Sequence, residues 1–162
     1  MIVVADAGPI RYLVLIEAAD ALSPLYGLVL IPQSVAEELR HAQTPEAVLT
    51  WIARPPEWCE IRPDPPARPV VQEFLDPGER AAIALAMSVS AHRLLIDDWA
   101  GRIEAERQHL LVTGTLGVLA EAHEHHLLDF EAVLARLAQT NFYLSAELLD
   151  HVRQRLSGDK KS

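Results

Sequence analysis

The sequence predicts an α/β fold with a short, mainly parallel central sheet and helices on both faces. Short apolar runs at residues 2–5, 28–31, 93–96 and 111–113 lack polar alternation, as expected of strands buried on both sides. Helical stretches lie between them, the pattern of parallel strands joined by crossovers. The chain has 162 residues. That length sustains one real core but not two comfortable ones, so residues 1–162 are read as a single domain.

Residues 2–5 form the first strand, and Asp6-Ala7-Gly8-Pro9 breaks it. Residues 10–22 then read as a helix. After the run at 28–31, Pro32 suits a first helical position and residues 33–42 continue as helix, with another over about 44–51. Prolines 55, 56, 63, 65, 66 and 69 preclude a long helix over 54–69, which reads as a surface loop around a short strand near residues 59–61. Asp76-Pro77-Gly78-Glu79 has the form of a capping box, and the Ala-rich stretch to Ala91 is its helix. Residues 93–96 make the next strand, broken by Asp97-Asp98, with a helix over 99–108. Gly114 closes the short strand at 111–113, and Thr115 is a candidate cap for the next helix. Residues 116–156 read as three helices, the last capped by Ser145, and residues 157–162 as a disordered tail.

Composition narrows the function. A 23% charged, half-apolar chain is globular rather than disordered. One cysteine, Cys59, excludes an internal disulfide and suits a reducing cytoplasm. No apolar run approaches the roughly 20 residues of a membrane span, and the N-terminus lacks the basic region of a secretory signal. The expected setting is therefore cytoplasmic, without membrane contact. A net charge of −9 speaks against broad capture of nucleic acid, which normally uses a basic surface. Clustered carboxylates that hold a cation would be locally acidic anyway, and a basic partner protein is another way to offset the charge.

Asp6 follows the first strand and Asp97-Asp98 follow a later one, so two strands deliver acids to the edge where parallel sheets bind ligands. One such acid is no more than a common turn former; two at one edge favour function. On the helix after Pro32, Val35, Leu39 and Ala42 make an apolar stripe, and Glu38 lies about 60° from its middle while Glu37 points away. A carboxylate bordering a buried face needs a partner or a cation. Strand alternation leaves open whether Asp97 or Asp98 turns toward Asp6. Glu79 already has a capping role available. Such an open set of oxygens suits Mg²⁺ or Mn²⁺, which can activate water and stabilise phosphoryl charge.

Other candidates carry less. No Walker-type loop is present, and Gly114-Thr115-Leu116-Gly117 is too short to cradle a phosphate. His123, His125 and His126 lack a third ligand at matching spacing and read as a solvated helix end. Trp51, Trp58 and Trp99 show no stacking pattern, and Trp99 is expected to shape the site or pack on the core. A receiver-type phosphoacceptor would need paired acids after the first strand and a placed lysine, whereas the only lysines are Lys160 and Lys161.

The segments Val3-Val4-Ala5-Asp6-Ala7-Gly8-Pro9, Ile31 through Leu39, Gly78-Glu79 with its Ala-rich helix, Leu94-Leu95-Ile96-Asp97-Asp98 and Val112 through Gly117 together resemble the PIN-domain family of VapC-type toxin ribonucleases, closest to its DUF3368 branch. The resemblance spans nearly the whole chain. It implies a three-layer α/β/α PIN-like fold and Mg²⁺- or Mn²⁺-dependent endoribonuclease activity in a toxin–antitoxin pair. It further implies a homodimer neutralised by a small antitoxin. Carried across, it assigns catalytic and metal-binding roles to Asp6, Glu38 and Asp98, with Glu79 and Asp97 as further ligand candidates. Two departures stand out. Ala7-Gly8 replaces hydroxyl residues, and Trp99-Ala100-Gly101-Arg102 stands where many relatives have another acid. The second departure motivates the alternative, a catalytically impaired PIN scaffold that binds protein or RNA.

Overall fold

The computed structural model of the chain describes residues 1–66 and 74–159. Five parallel strands form the sheet: β1 (Ile2–Ala5), β2 (Leu28–Pro32), β3 (Cys59–Arg62), β4 (Arg93–Leu95) and β5 (Val112–Thr113). Their order is β3-β2-β1-β4-β5. Val4 pairs with both Leu30 and Leu94, so β1 is the centre, and the chain winds outward from it in both directions. The reversal between β1 and β4 opens a crevice at the carboxyl ends of these two strands. The sheet is parallel throughout, with helices on both faces.

Side-chain alternation sorts the core. Val3, Ala5, Val29, Ile31 and Leu95 face one layer, packed by α1 (Ala7–Leu15), α4 (Glu46–Ala53), α7 (Thr115–Glu124), α8 (Phe130–Leu137) and α9 (Ala146–Asp159). Val4, Leu30, Leu94 and Ile96 face the opposite layer, packed by α5 (Pro77–Ser88) and α6 (Trp99–Arg107). Both faces are dry, which explains the unbroken apolar runs. Two short helices complete the chain, α2 (Leu22–Tyr26) and α3 (Gln33–Leu39).

The helices expected from local pattern depart from it in four places. The Ala-rich helix expected to reach Ala91 ends at Ser88, where Ser90 takes φ 51°. The stretch at 10–22 breaks after Leu15, where Glu17 takes φ 60° and the chain turns into a 3₁₀ segment, Ala19–Ala21. No local breaker causes this: Arg136 of α8 donates to the Ile16 carbonyl at 2.8 Å, so a distant residue satisfies the helix end. The helix expected to reach Ala42 ends at Leu39, and Ala42 is exposed. Here His41 turns back, its Nδ1 accepting from the Gln43 amide at 3.2 Å. At the C-terminus, α9 continues through Asp159, past the expected start of a tail at 157, and residues 160–162 lie outside the described residues. Residues 67–69 of the expected proline-rich loop also lie outside them.

Other expectations hold. The capping box at Asp76 is complete, with the Glu79 amide donating to Asp76 at 2.8 Å and the Asp76 amide donating back to the Glu79 carboxyl at 3.3 Å. Ser145 accepts from the Leu148 amide at 3.3 Å at the start of α9. Leu94 is fully buried between the sheet and α5. Leu94→Ala is expected to cost about 2–5 kcal/mol, read as a lower urea midpoint at unchanged slope.

Candidate active site at the carboxyl edge of the sheet

Asp6 is the first residue beyond β1. Its amide donates to the Leu95 carbonyl at 2.9 Å, continuing the ladder to β4 and fixing the side chain in the crevice. The residue is only 7% exposed, and Oδ1 is buried without a hydrogen-bond partner among the described residues. Burial pushes its carboxyl up to about 7, opposed by the Ala7 amide and reinforced by Asp76, Glu38 and Asp97. An unpaired buried carboxylate is costly unless something positive or protic meets it.

Beyond β4 the two acids part. Leu95 packs into the α7 layer and Ile96 into the α5 and α6 layer, while Asp97 lies 3.5 Å from where a Cβ at Gly8 would stand and its charge raises the Asp6 pKa. Asp97 bonds the start of α7: it accepts from the Thr115 amide at 2.7 Å and the Thr115 hydroxyl at 2.6 Å. Burial raises its pKa, and the two Thr115 bonds and the Arg102 charge hold it down. Thr115 is fully buried and is the first residue of α7, with Gly114 at the cap position, so its hydroxyl serves Asp97 rather than capping its own helix. Asp98 is exposed and caps α6, accepting from the Gly101 amide at 3.0 Å, and its charge raises the pKa of Glu79.

Glu38 arrives by another route than its apolar stripe. With α3 ending at Leu39, the buried residues are Val35, Ala36 and Leu39, and Glu38 is exposed as a residue. Its carboxyl nevertheless reaches the start of α5: a Cβ at Gly78 would lie 2.9 Å from Glu38 Oε2. A larger residue at 78 would make the Glu38 carboxyl shift. Desolvation there and the neighbouring Asp76 raise the Glu38 pKa, and Arg11 lowers it. Glu79 is pushed up to about 8, first by burial and then by Asp76, Asp98 and Asp6.

Asp76, Glu38 and Asp97 act on Asp6, and Asp76, Asp98 and Asp6 act on Glu79, so these acids form one linked set along the edge. Asp76 is the member that sequence reasoning passes over, because its capping role already accounts for it. The signal is present in the Asp-Pro-Gly-Glu start of α5, which delivers two acids to the same helix end. A divalent cation suits this donor chemistry: hard oxygens, an orphaned carboxylate atom and several acids held partly neutral. Among the described residues no three Asp, Glu, His or Cys side chains already converge at ligand spacing.

The remaining candidates fall outside this edge. Trp99 is 76% exposed and does not pack on the core, since it follows the Asp98 cap on the outer face of α6. His125 and His126 are exposed at the end of α7, while the His123 ring accepts from the Phe130 amide at 3.0 Å and so helps join α7 to α8. Trp51 and Trp58 pack against each other at 6.1 Å beside the core.

A parallel sheet wound outward from β1, with acids gathered at the crevice between β1 and β4, defines a PIN-type domain. The chain belongs to the PIN-domain family DUF3368, whose match covers residues 2–158. Among solved structures it is similar to a PilT N-terminus domain protein from the hyperthermophilic archaeon Sulfolobus solfataricus P2. That similarity has a TM-score of 0.51 at 13% identity and covers 90% of this chain and 100% of that one, a likeness of fold. No curated protein matches the chain. PIN domains are generally nucleases that use divalent metal ions. No helix among the described residues is long and apolar enough to cross a membrane.

Two outcomes are expected of this geometry. Because the folded-state pKa of Asp6 lies above its ordinary value of 3.8, the folded protein holds a proton that the unfolded chain releases between about pH 4 and 7. The stability from neutral Asp6 is therefore complete below about 4 and lost as pH rises through about 7. Without metal, Asp6→Asn should match the wild-type thermal midpoint only below about pH 4, exceed it increasingly as pH rises to about 7, and exceed it by a constant margin above that; parallel curves at all pH values would contradict this. Thr115→Val should cost about 1–3 kcal/mol in urea unfolding, since it leaves a buried carboxylate oxygen short of a donor.

Proposed function

We propose that the protein is an Mg²⁺- or Mn²⁺-dependent endoribonuclease and the toxin component of a toxin–antitoxin pair. The observation that carries this reading is the buried, partnerless Oδ1 of Asp6 at the crevice, ringed by acids with raised pKa values. Asp6, Glu38 and Asp98 would hold the ion. Glu79 would join them once it loses its proton, and Asp97, occupied by Thr115, would steady the strand end rather than bind. When bound, such a cation supplies a water of lowered pKa and offsets charge on the phosphoryl oxygens. Water oxygen would bond to phosphorus as a bridging P–O bond breaks, leaving one fragment with the phosphate and the other with a hydroxyl.

The chain's own residues support that chemistry in distinct ways. Asp6 is the fixed donor, rigid because its backbone is locked to Leu95. Glu38 and Asp98 approach from α3 and from the start of α6, so the site closes from two sides of the crevice. The family resemblance supports RNA as substrate, a homodimer and a small antitoxin; a basic antitoxin segment would complement the net charge of −9. A single buried cysteine is compatible with work in the cytoplasm.

A second reading, a PIN scaffold without efficient catalysis, is favoured by Trp99-Ala100-Gly101-Arg102 in place of a further acid. Calorimetric titration with Mn²⁺ separates the two, since no binding near neutral pH supports the scaffold. Under the enzyme reading, RNA cleavage requires Mg²⁺ or Mn²⁺. Asp6→Asn abolishes it, Asp98→Asn lowers it at least 100-fold, and both variants stay folded by circular dichroism. Cleavage that persists unchanged in Asp6→Asn would overturn the site assignment.

A further inference from the structure

An open groove of about 920 Å³ begins at Asp97 and Asp98 and runs past Gly114 and α7 to the start of α9. We propose that this groove is the path of a single-stranded RNA, with the Arg102 guanidinium holding a backbone phosphate and the Tyr143 ring stacking on a base. The inference rests on the nuclease reading above and names how its substrate is held.

Three arginines line the groove: Arg93, Arg102 and Arg155. Arg93 is paired with Glu121, and Arg155 with Glu124 at 2.7 Å. The Arg102 side chain makes no ion pair within 4 Å and no hydrogen bond among the described residues, although it is half-buried and its charge acts on Asp97. Its place is built into the fold. A Cβ at Gly114 would lie 2.9 Å from Arg102 Nη1 and 2.9 Å from Asp97 Oδ1, so the bare backbone leaves room for both. Asp97 spends its oxygens on Thr115 at 2.7 and 2.6 Å and leaves the guanidinium donors unmet. A seated guanidinium with open donors, on the wall that starts at the acid edge, matches the oxygens of a phosphodiester.

Tyr143 supplies the second contact. The segment before it is tied to α1: Tyr12 donates to Asn141 at 2.9 Å, and Phe142 packs edge-on against Tyr12 with ring centroids 4.9 Å apart. Tyr143 itself is 85% exposed and lines the groove. A ring held out of the core by an anchored backbone offers a flat face to an unpaired base. One such face and one open guanidinium suit a single strand. Duplex capture would need a broad basic surface, which a chain of net charge −9 does not provide.

The test measures fluorescence anisotropy of a labelled single-stranded RNA decamer of mixed sequence, bound to the full chain carrying Asp6→Asn in Mg²⁺ at several salt concentrations. Added Arg102→Ala should weaken binding about 10-fold and reduce the slope of log K against log salt by about 0.7. Arg102→Lys should retain the slope, and Gly114→Ala should shift binding toward Arg102→Ala. Tyr143→Ala should weaken binding about 10-fold with the slope unchanged, and Tyr143→Phe should restore it. Matching thermal midpoints show that the variants fold. RNA affinity and slope unchanged in both alanine variants would overturn the path while wild-type cleavage keeps the nuclease reading. Loss of partner-protein binding alone, with RNA affinity intact, would also overturn it and make the groove a protein dock. No RNA binding and no cleavage by the wild-type chain would overturn both.

Discussion

A buried carboxylate at the point where the sheet reverses direction is the constraint on which the rest of the structure turns. The backbone of Asp6 is held in place, because its amide extends the β1–β4 ladder. It cannot reach water freely either, since it is 7% exposed. Its neighbours make matters worse rather than better: Asp76, Glu38 and Asp97 all push its pKa upward. A fold maintained for stability alone would replace such a group with an apolar or neutral residue. Its presence at the ligand edge of a parallel sheet is a statement about function.

The two acids after β4 show how geometry divides labour between adjacent residues. Asp97 ties the β4 end to the start of α7 through two bonds to Thr115, and thereby keeps the crevice wall in place. Asp98 caps α6, and its charge bears on Glu79. Neither job is interchangeable, because a one-residue shift reverses the face. The same wall then carries Arg102, a cation beside a site otherwise made of acids.

Much of this is legible in the sequence. The buried strands, the Asp76 capping box and the acids after residues 5 and 96 can be read because each arises from local pattern. The features that escape depend on distant partners. The Ile16 carbonyl at the end of α1 is met by Arg136 from α8, and the role of Thr115 needs Asp97, which lies 18 residues earlier. Glu38 stands out in the sequence for a stripe that the structure shortens, yet its carboxyl does reach the acid edge, through the gap left by Gly78. Asp76 is hidden by having a sufficient local explanation. The preference for Asp98 over Asp97 as a ligand rests on the family resemblance, whereas the two Thr115 bonds that occupy Asp97 are visible only in the fold.

Whether Asp6 anchors a divalent cation at the β1–β4 crevice is read from a crystal structure grown with Mn²⁺, with its anomalous signal mapped. The expected peak lies about 2.1 Å from an Asp6 carboxylate oxygen, with Glu38 and Asp98 turned toward the same ion and Asp97 still bonded to Thr115. A crevice without manganese at saturating concentration, or an ion held without Asp6, would contradict that anchoring.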